Sequence, residues 1–369
     1  MDAPSAQLAL GIRDAVVRSL ATRRPILHHL NADTSWLLQV PRPLVAIKRG
    51  TRIYYNILID PWLSGGQSDV ARWFSQQWHA SESAVKSVAE VEELAREIEI
   101  LAGELRLGKS RLSIGDAGAD ISTFIDAVAI SHEFTDHCHK ETLLEIGKDI
   151  PVFATEKAAS LIQSWSHFRT IQTISPFTSS FPDWRAIALP PLPEWLSISR
   201  LIAPKDPLYY HSALLIAFNT HPIPTGSSTC DAAEAVIYTP HGIHVSALEP
   251  VAVADPPLHT LAFLHGLHAV SIGSAQQLNL GARYGLEAQR ALRARYWFGT
   301  HDEVKKGGGL VNWFLNRNVM TVEEAVEEER KRRRETGEDG YGDTNIWNGE
   351  EWEDVKFEEI PNGESRILE

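Results

Sequence analysis

Between Ser131 and His139 the chain reads Ser-His-Glu-Phe-Thr-Asp-His-Cys-His, which brings His132, Asp136, His137 and His139 into one short polar stretch. Neutral imidazole nitrogen and aspartate oxygen are ligands for Zn²⁺, Fe or Mn, so a single loop can supply most of a coordination shell. Other groups of the same chemistry stand where apolar runs end. Asp60 follows Tyr54–Ile59, His241 lies in Pro240-His241-Gly242, and His301 follows Tyr296–Gly299, with Asp302 and Lys305 just beyond it.

These groups need strands and helices to hold them. Residues 5–20 have helical spacing, and Trp36–Val40, Leu44–Ile47 and Tyr54–Ile59 are short β-rich runs separated by proline or basic turns. Residues 83–105 predict a surface helix, Asp126–Ser131 a compact apolar strand, and a helix starts near Lys140. Pro151–Ala154 and Thr155–Trp165 repeat strand then helix. The second half returns to strands at Ser212–Phe218, Ala235–Tyr238 and Leu258–Leu264, then a helix at Gly285–Arg295 and a strand at Tyr296–Gly299. Strands leading twice into strand–loop–helix units, with His and Asp in the loops, predict a layered α/β architecture.

The segment His132-Glu133-Phe134-Thr135-Asp136-His137 resembles the His-x-His-x-Asp-His signature of the metallo-β-lactamase fold superfamily, in its lactonase-like branch, with Phe134 at the second histidine. Ile59-Asp60-Pro61-Trp62-Leu63 is similar to that family's first-motif aspartate, and Phe298-Gly299-Thr300-His301 to its last-motif histidine. The likeness spans roughly residues 33–315. Two positions depart from the pattern. Leu192–Arg200 has no histidine where the family has one, and Thr239-Pro240-His241-Gly242 has a histidine where the family places a bridging aspartate.

The resemblance implies an αββα sandwich, two mixed or antiparallel sheets with outer helices and a site at their shared edge. It also implies metal-dependent hydrolysis of a small ester, lactone or phosphoester. Of the family's first-metal ligands only His132 survives, whereas Asp136, His137 and His301 match those of the second. A mononuclear site is therefore expected, holding one Zn²⁺ with Fe or Mn as alternatives. Under this reading His132 and His241 complete or tune the site, and Asp136 and His241 are the candidates for water orientation and proton transfer. Asp60 orients the loop, while His139, Asp302 and Lys305 face substrate. The plainer reading also stands: Asp136 caps the Lys140 helix, the imidazoles are relics of an older site, and the chain is an inactive binding protein that has lost its metals.

The formal net charge of −13 is local, because residues 323–369 hold 17 acidic against 7 basic side chains. A body with no basic excess argues against a nucleic-acid partner. Two cysteines, Cys138 and Cys230, are too few for a disulfide framework, and no apolar run approaches the ~20 residues that cross a bilayer. A cytoplasmic protein acting on a small molecule, with no membrane partner, is expected. The expected organisation is an N-terminal helix over 1–30, the main domain over 31–322, and an acidic arm over 323–369. That arm packs Trp347, Trp352, Phe357 and Ile360 on the body, with disorder as the alternative, and in the binding-protein reading it serves a partner or homodimer contact.

Overall fold

The structure is a computed structural model that describes residues 4–47, 52–69, 71, 73–107, 122–203, 210–220, 233–273, 276–308, 313–336 and 355–369. Its central strands are buried on both faces. Tyr54–Ile59, Ala127–Ile130 and Ser212–Phe218 are buried at every position. That pattern requires cover on each side of a sheet, and it explains why these runs read as continuous apolar stretches rather than alternating ones.

One sheet has seven strands, in the spatial order Ser365–Ile367, Ile26–His29, Trp36–Pro41, Tyr54–Ile59, Ala127–Ile130, Val152–Ala154 and Ile171–Thr173. Pairing is antiparallel up to Tyr54–Ile59 and parallel beyond it. The other sheet has six, in the order Phe357–Glu358, Tyr296–Phe298, Leu258–His265, Ala233–Thr239, Ser212–Phe218 and Leu196–Ile202. The inner faces meet in a shared core. Trp36, Leu38, Ile57, Ala129 and Phe153 from the first sheet lie against Ile198, Leu214, Ile216, Tyr238 and Phe298 from the second.

Helices close both outer faces. Val88–Leu107, Lys140–Glu145 and Glu156–Ser164 contribute Val91, Ala95, Leu143, Ala158 and Ile162 to a cluster with Leu58, Val128 and Val152. Ala282–Leu292 and Val322–Thr336 contribute Leu286, Ala288 and Ala325 to a cluster with Leu215, Ile237 and Phe263. The αββα sandwich implied by the resemblance is thus present, with mixed sheets.

Some local expectations change. Leu44–Ala46 is a 3₁₀ turn and not a strand. Pro43 precedes it, Leu44 and Val45 are exposed, and a strand there would have buried neither side chain usefully. The acidic arm opens as the helix Val322–Thr336, and residues 355–369 then give an edge strand to each sheet. Ile360 and Leu368 enter the core between the sheets, and Phe357 packs edge-on to Trp297. Trp347 and Trp352 lie outside the described residues, as does Cys230, while Cys138 is buried and free. Among the described residues, no helix is long and apolar enough to cross a membrane.

Candidate metal centre

The site lies where strands of both sheets end. From the first sheet, Tyr54–Ile59 runs into Asp60 and Ala127–Ile130 into the 131–139 loop. From the second, Ala233–Thr239 runs into His241 and Tyr296–Phe298 into His301. Asp60 and His301 both hold left-handed backbone, with φ of 41° and 60°. Non-glycine residues in that region are retained where surrounding contacts over-determine them.

Those contacts are specific. Asp60 is fully buried and accepts from the Ser131 backbone N–H at 2.8 Å, from the Ser131 hydroxyl, and from His137 Nδ1 at 2.8 Å. His301 donates from Nδ1 to Asp33 Oδ1 at 3.1 Å, and its backbone N–H reaches the Asp33 carbonyl at 3.0 Å. Asn31 shapes the loop carrying Asp33, its side-chain oxygen accepting from the N–H groups of Asp33 and Ser35. His241 donates from Nδ1 to Asn279 Oδ1 at 2.9 Å.

In all three imidazoles an acceptor fixes the proton on Nδ1, which leaves Nε2 as the atom free to bind. The rings of His137, His241 and His301 form a triangle with centroid separations of 4.9, 4.9 and 5.0 Å. Nε2 of His137 and Nε2 of His241 are buried with no hydrogen-bond partner. Asp136 lies beside them, with Oδ1 3.7 Å from His137 Nε2 and Oδ2 3.8 Å from His301 Nε2. Buried acceptors facing one another unsatisfied are costly, and a cation among them removes the cost. Among the described residues, two overlapping sets have ligand atoms within 4.8 Å of one another: Asp136, His137 and His301, and His132, His137 and His241. The residues therefore fit a metal ion, and imidazoles backed by carboxylate or amide are the usual outer support of such sites.

Protonation follows the same geometry. Burial, then the neighbouring His132, His137 and His301, hold His241 well below the ordinary histidine range. Burial likewise lowers His301, with Lys305 adding to it. For His137 burial opposes the charge, but Asp136 and Asp60 together outweigh it and raise the pKa. Any divalent ion must displace that proton, so its apparent affinity falls on acidification.

Other expected site residues take different positions. His132 has both ring nitrogens engaged, Nδ1 with Ser131 Oγ at 2.9 Å and Nε2 with the Tyr210 carbonyl at 3.0 Å. A nitrogen donating to a carbonyl offers no lone pair, so to act as a ligand with His137 and His241 the His132 ring would give up one of these contacts. His139, expected at a substrate rim, is buried as the N-cap of Lys140–Glu145, its ring accepting from the Thr142 N–H. The plainer reading gives that cap to Asp136, and His139 fills it instead. Asp302 holds a turn by accepting from the N–H groups of Leu267 and His268, where Gly266 lets the backbone come close: a Cβ there would lie 2.5 Å from the Thr300 carbonyl. The Lys305 side chain is buried and ion-paired. Its ammonium sits 2.6 Å from Asp136 Oδ2 and 2.9 Å from Asp33 Oδ2, 5.3 Å from the centre of the Trp62 ring.

Two supporting residues escape the sequence reading. Asp33 had a weak signal, a polar Asn-Ala-Asp-Thr-Ser stretch between apolar runs. Asn279 had none, because it meets His241 only through tertiary packing.

Two facing mixed sheets, outer helices and a histidine–aspartate cluster at the shared edge decide the architecture. The fold is an αββα sandwich of two mixed sheets, the architecture the resemblance implies. No protein-family model and no curated protein matches the chain. Solved structures similar to it include a possible metal-dependent hydrolase from Veillonella parvula DSM 2008, at 12% identity over 94% of this chain and 100% of that one, TM-score 0.46. An isothiocyanate hydrolase from Delia radicum gut bacteria is similar at 16% identity over 93% and 99%, TM-score 0.45. The metallo-beta-lactamase fold protein YhfI from Bacillus subtilis is similar at 11% identity over 93% and 99%, TM-score 0.40. At such values the likeness says nothing of the site, whose chemistry rests on its own side chains.

Proposed function

We propose that the chain is a metal-dependent hydrolase of a small-molecule ester, lactone or phosphoester, with one ion held by Asp136, His137 and His301. The observation that supports this most is the pair of buried, unsatisfied Nε2 atoms on His137 and His241 beside a carboxylate. An ion bound there, Zn²⁺ first and Fe or Mn as alternatives, supplies Lewis-acid polarisation and brings the pKa of water from 15.7 to about 7.

The chain's own groups do the rest. Asp33 and Asp60 keep His301 and His137 in the tautomer that points Nε2 inward. Asp136 is a ligand rather than a base, since Lys305, His137 and His301 outweigh the effect of its burial and hold its carboxyl well below the usual range. His241 is neutral and fixed by Asn279 with Nε2 turned into the cluster, where it would relay the proton that hydrolysis releases rather than keep it. The location we assign is the cytoplasm, where the buried Cys138 thiol stays reduced.

One observation favours a second reading, a binding protein without an ion: Lys305 already neutralises Asp136. The two separate in a screen of aryl esters, lactones and phosphodiesters run before and after chelation. The enzyme reading expects turnover of at least one class, lost on chelation and restored by adding back Zn²⁺, Mn²⁺ or Fe²⁺. Turnover indifferent to chelator, or none in any class from protein that carries metal, contradicts it.

A further inference from the structure

Lys305 is the unusual member of the cluster. Its side chain is 7% exposed, yet it is ion-paired to Asp33, which is fully buried, and to Asp136, which is nearly so. Asp33 Oδ2 has no other partner. Among the described residues, the carboxylates of Asp33, Asp60 and Asp136 share this interior with the Lys305 ammonium, and Asp69 lies near enough to Asp136 to act on it.

We infer that the Lys305 ammonium is a built-in cation that holds one cation position of the cluster, between Asp33 and Asp136, and thereby limits how many divalent ions the site takes. The inference extends the proposed metal site and rests on that reading for its wild-type count of one. Geometry carries it. Nζ touches two carboxylate oxygens at 2.6 and 2.9 Å, the oxygen-only surroundings that a hard divalent ion accepts. Asp136 then faces two cations, Lys305 through Oδ2 and, through Oδ1, the place where His137 Nε2 lacks a partner.

The test replaces Lys305 with methionine, similar in length and uncharged, and with arginine, which keeps the charge. Bound Mn²⁺ is counted by the electron paramagnetic resonance of the free ion, and total metal by elemental analysis. Lys305→Met is expected to bind one equivalent more than the wild type, and Lys305→Arg no more than the wild type. Equal counts for Lys305→Met and the wild type overturn the inference. The comparison is a difference, so it stands apart from the parent reading: a metal-free wild type with one ion in Lys305→Met supports the built-in cation while refuting the proposed site. Two metal-free proteins refute both. If Lys305→Met folds only with Mn²⁺ present, its ions are counted after gel filtration, and the same difference of one is required.

Discussion

His301→Ala is expected to lower divalent-metal affinity by about 10²- to 10³-fold while leaving the fold intact. Apparent binding energies of about 10–16 kcal/mol for four-ligand zinc sites apportion to roughly 2.5–4 kcal/mol per ligand, and each 1.4 kcal/mol is about a factor of ten. His301 is the ligand best suited to this measurement. Its loss leaves Asp33 still paired with Lys305, so no buried carboxylate is abandoned. The left-handed φ of 60° suits alanine somewhat less than histidine, so urea unfolding of the variant is measured alongside. Metal titration monitored by calorimetry should show the weakening, and turnover at fixed metal should fall with it. Unchanged affinity would remove His301 from the ligand set and, with it, the proposed ion.

Asp60 gives the second large effect, and two substitutions separate its parts. Asp60→Ala leaves the Ser131 N–H, the Ser131 hydroxyl and His137 Nδ1 without their common acceptor in a fully buried place. Breaking a buried charged network in this way costs about 3–5 kcal/mol, read as a lowered midpoint in urea unfolding. Asp60→Asn keeps the shape but can set an amide N–H against His137 Nδ1. The imidazole then moves its proton to Nε2, the atom that faces the cluster. Losses of about 10–100-fold in metal affinity are typical when such outer partners are changed, and that drop is expected in the asparagine variant with a smaller loss of stability. If both variants lose stability equally and the metal affinity of neither changes, Asp60 holds only the loop.

Much of this arrangement is written in local residue order, and the part that is not has a physical reason. Asp136, His137 and His301 stand at the ends of apolar strands, where polar groups interrupt a hydrophobic pattern. Their convergence follows once the strands share a sandwich edge. Ile26–His29 was harder, because Leu-His-His gives no apolar alternation. His28 is buried there with Gln39 and Ser365 on its two ring nitrogens, and His29 with Nδ1 on the Ile360 carbonyl and its ring stacked on Trp36. The small sheet of Ala269–Ile272, Gln276–Leu280 and Leu315–Asn318 is rich in glutamine and asparagine, so its strands are set by pairing rather than by burial. Asn279 belongs to it, which is why the partner of His241 had no local signature. The roles of His139, Asp302 and Lys305 depend likewise on which backbone or carboxylate each meets across the fold.

Crystals of the wild-type protein grown without chelator, with diffraction collected on both sides of the absorption edge of the metal found by elemental analysis, address the cation directly. The account requires one anomalous peak about 2.0–2.2 Å from Nε2 of His137, Nε2 of His301 and a carboxylate oxygen of Asp136. A metal-free protein whose imidazole Nε2 atoms are met only by ordered water or by Lys305 would contradict it.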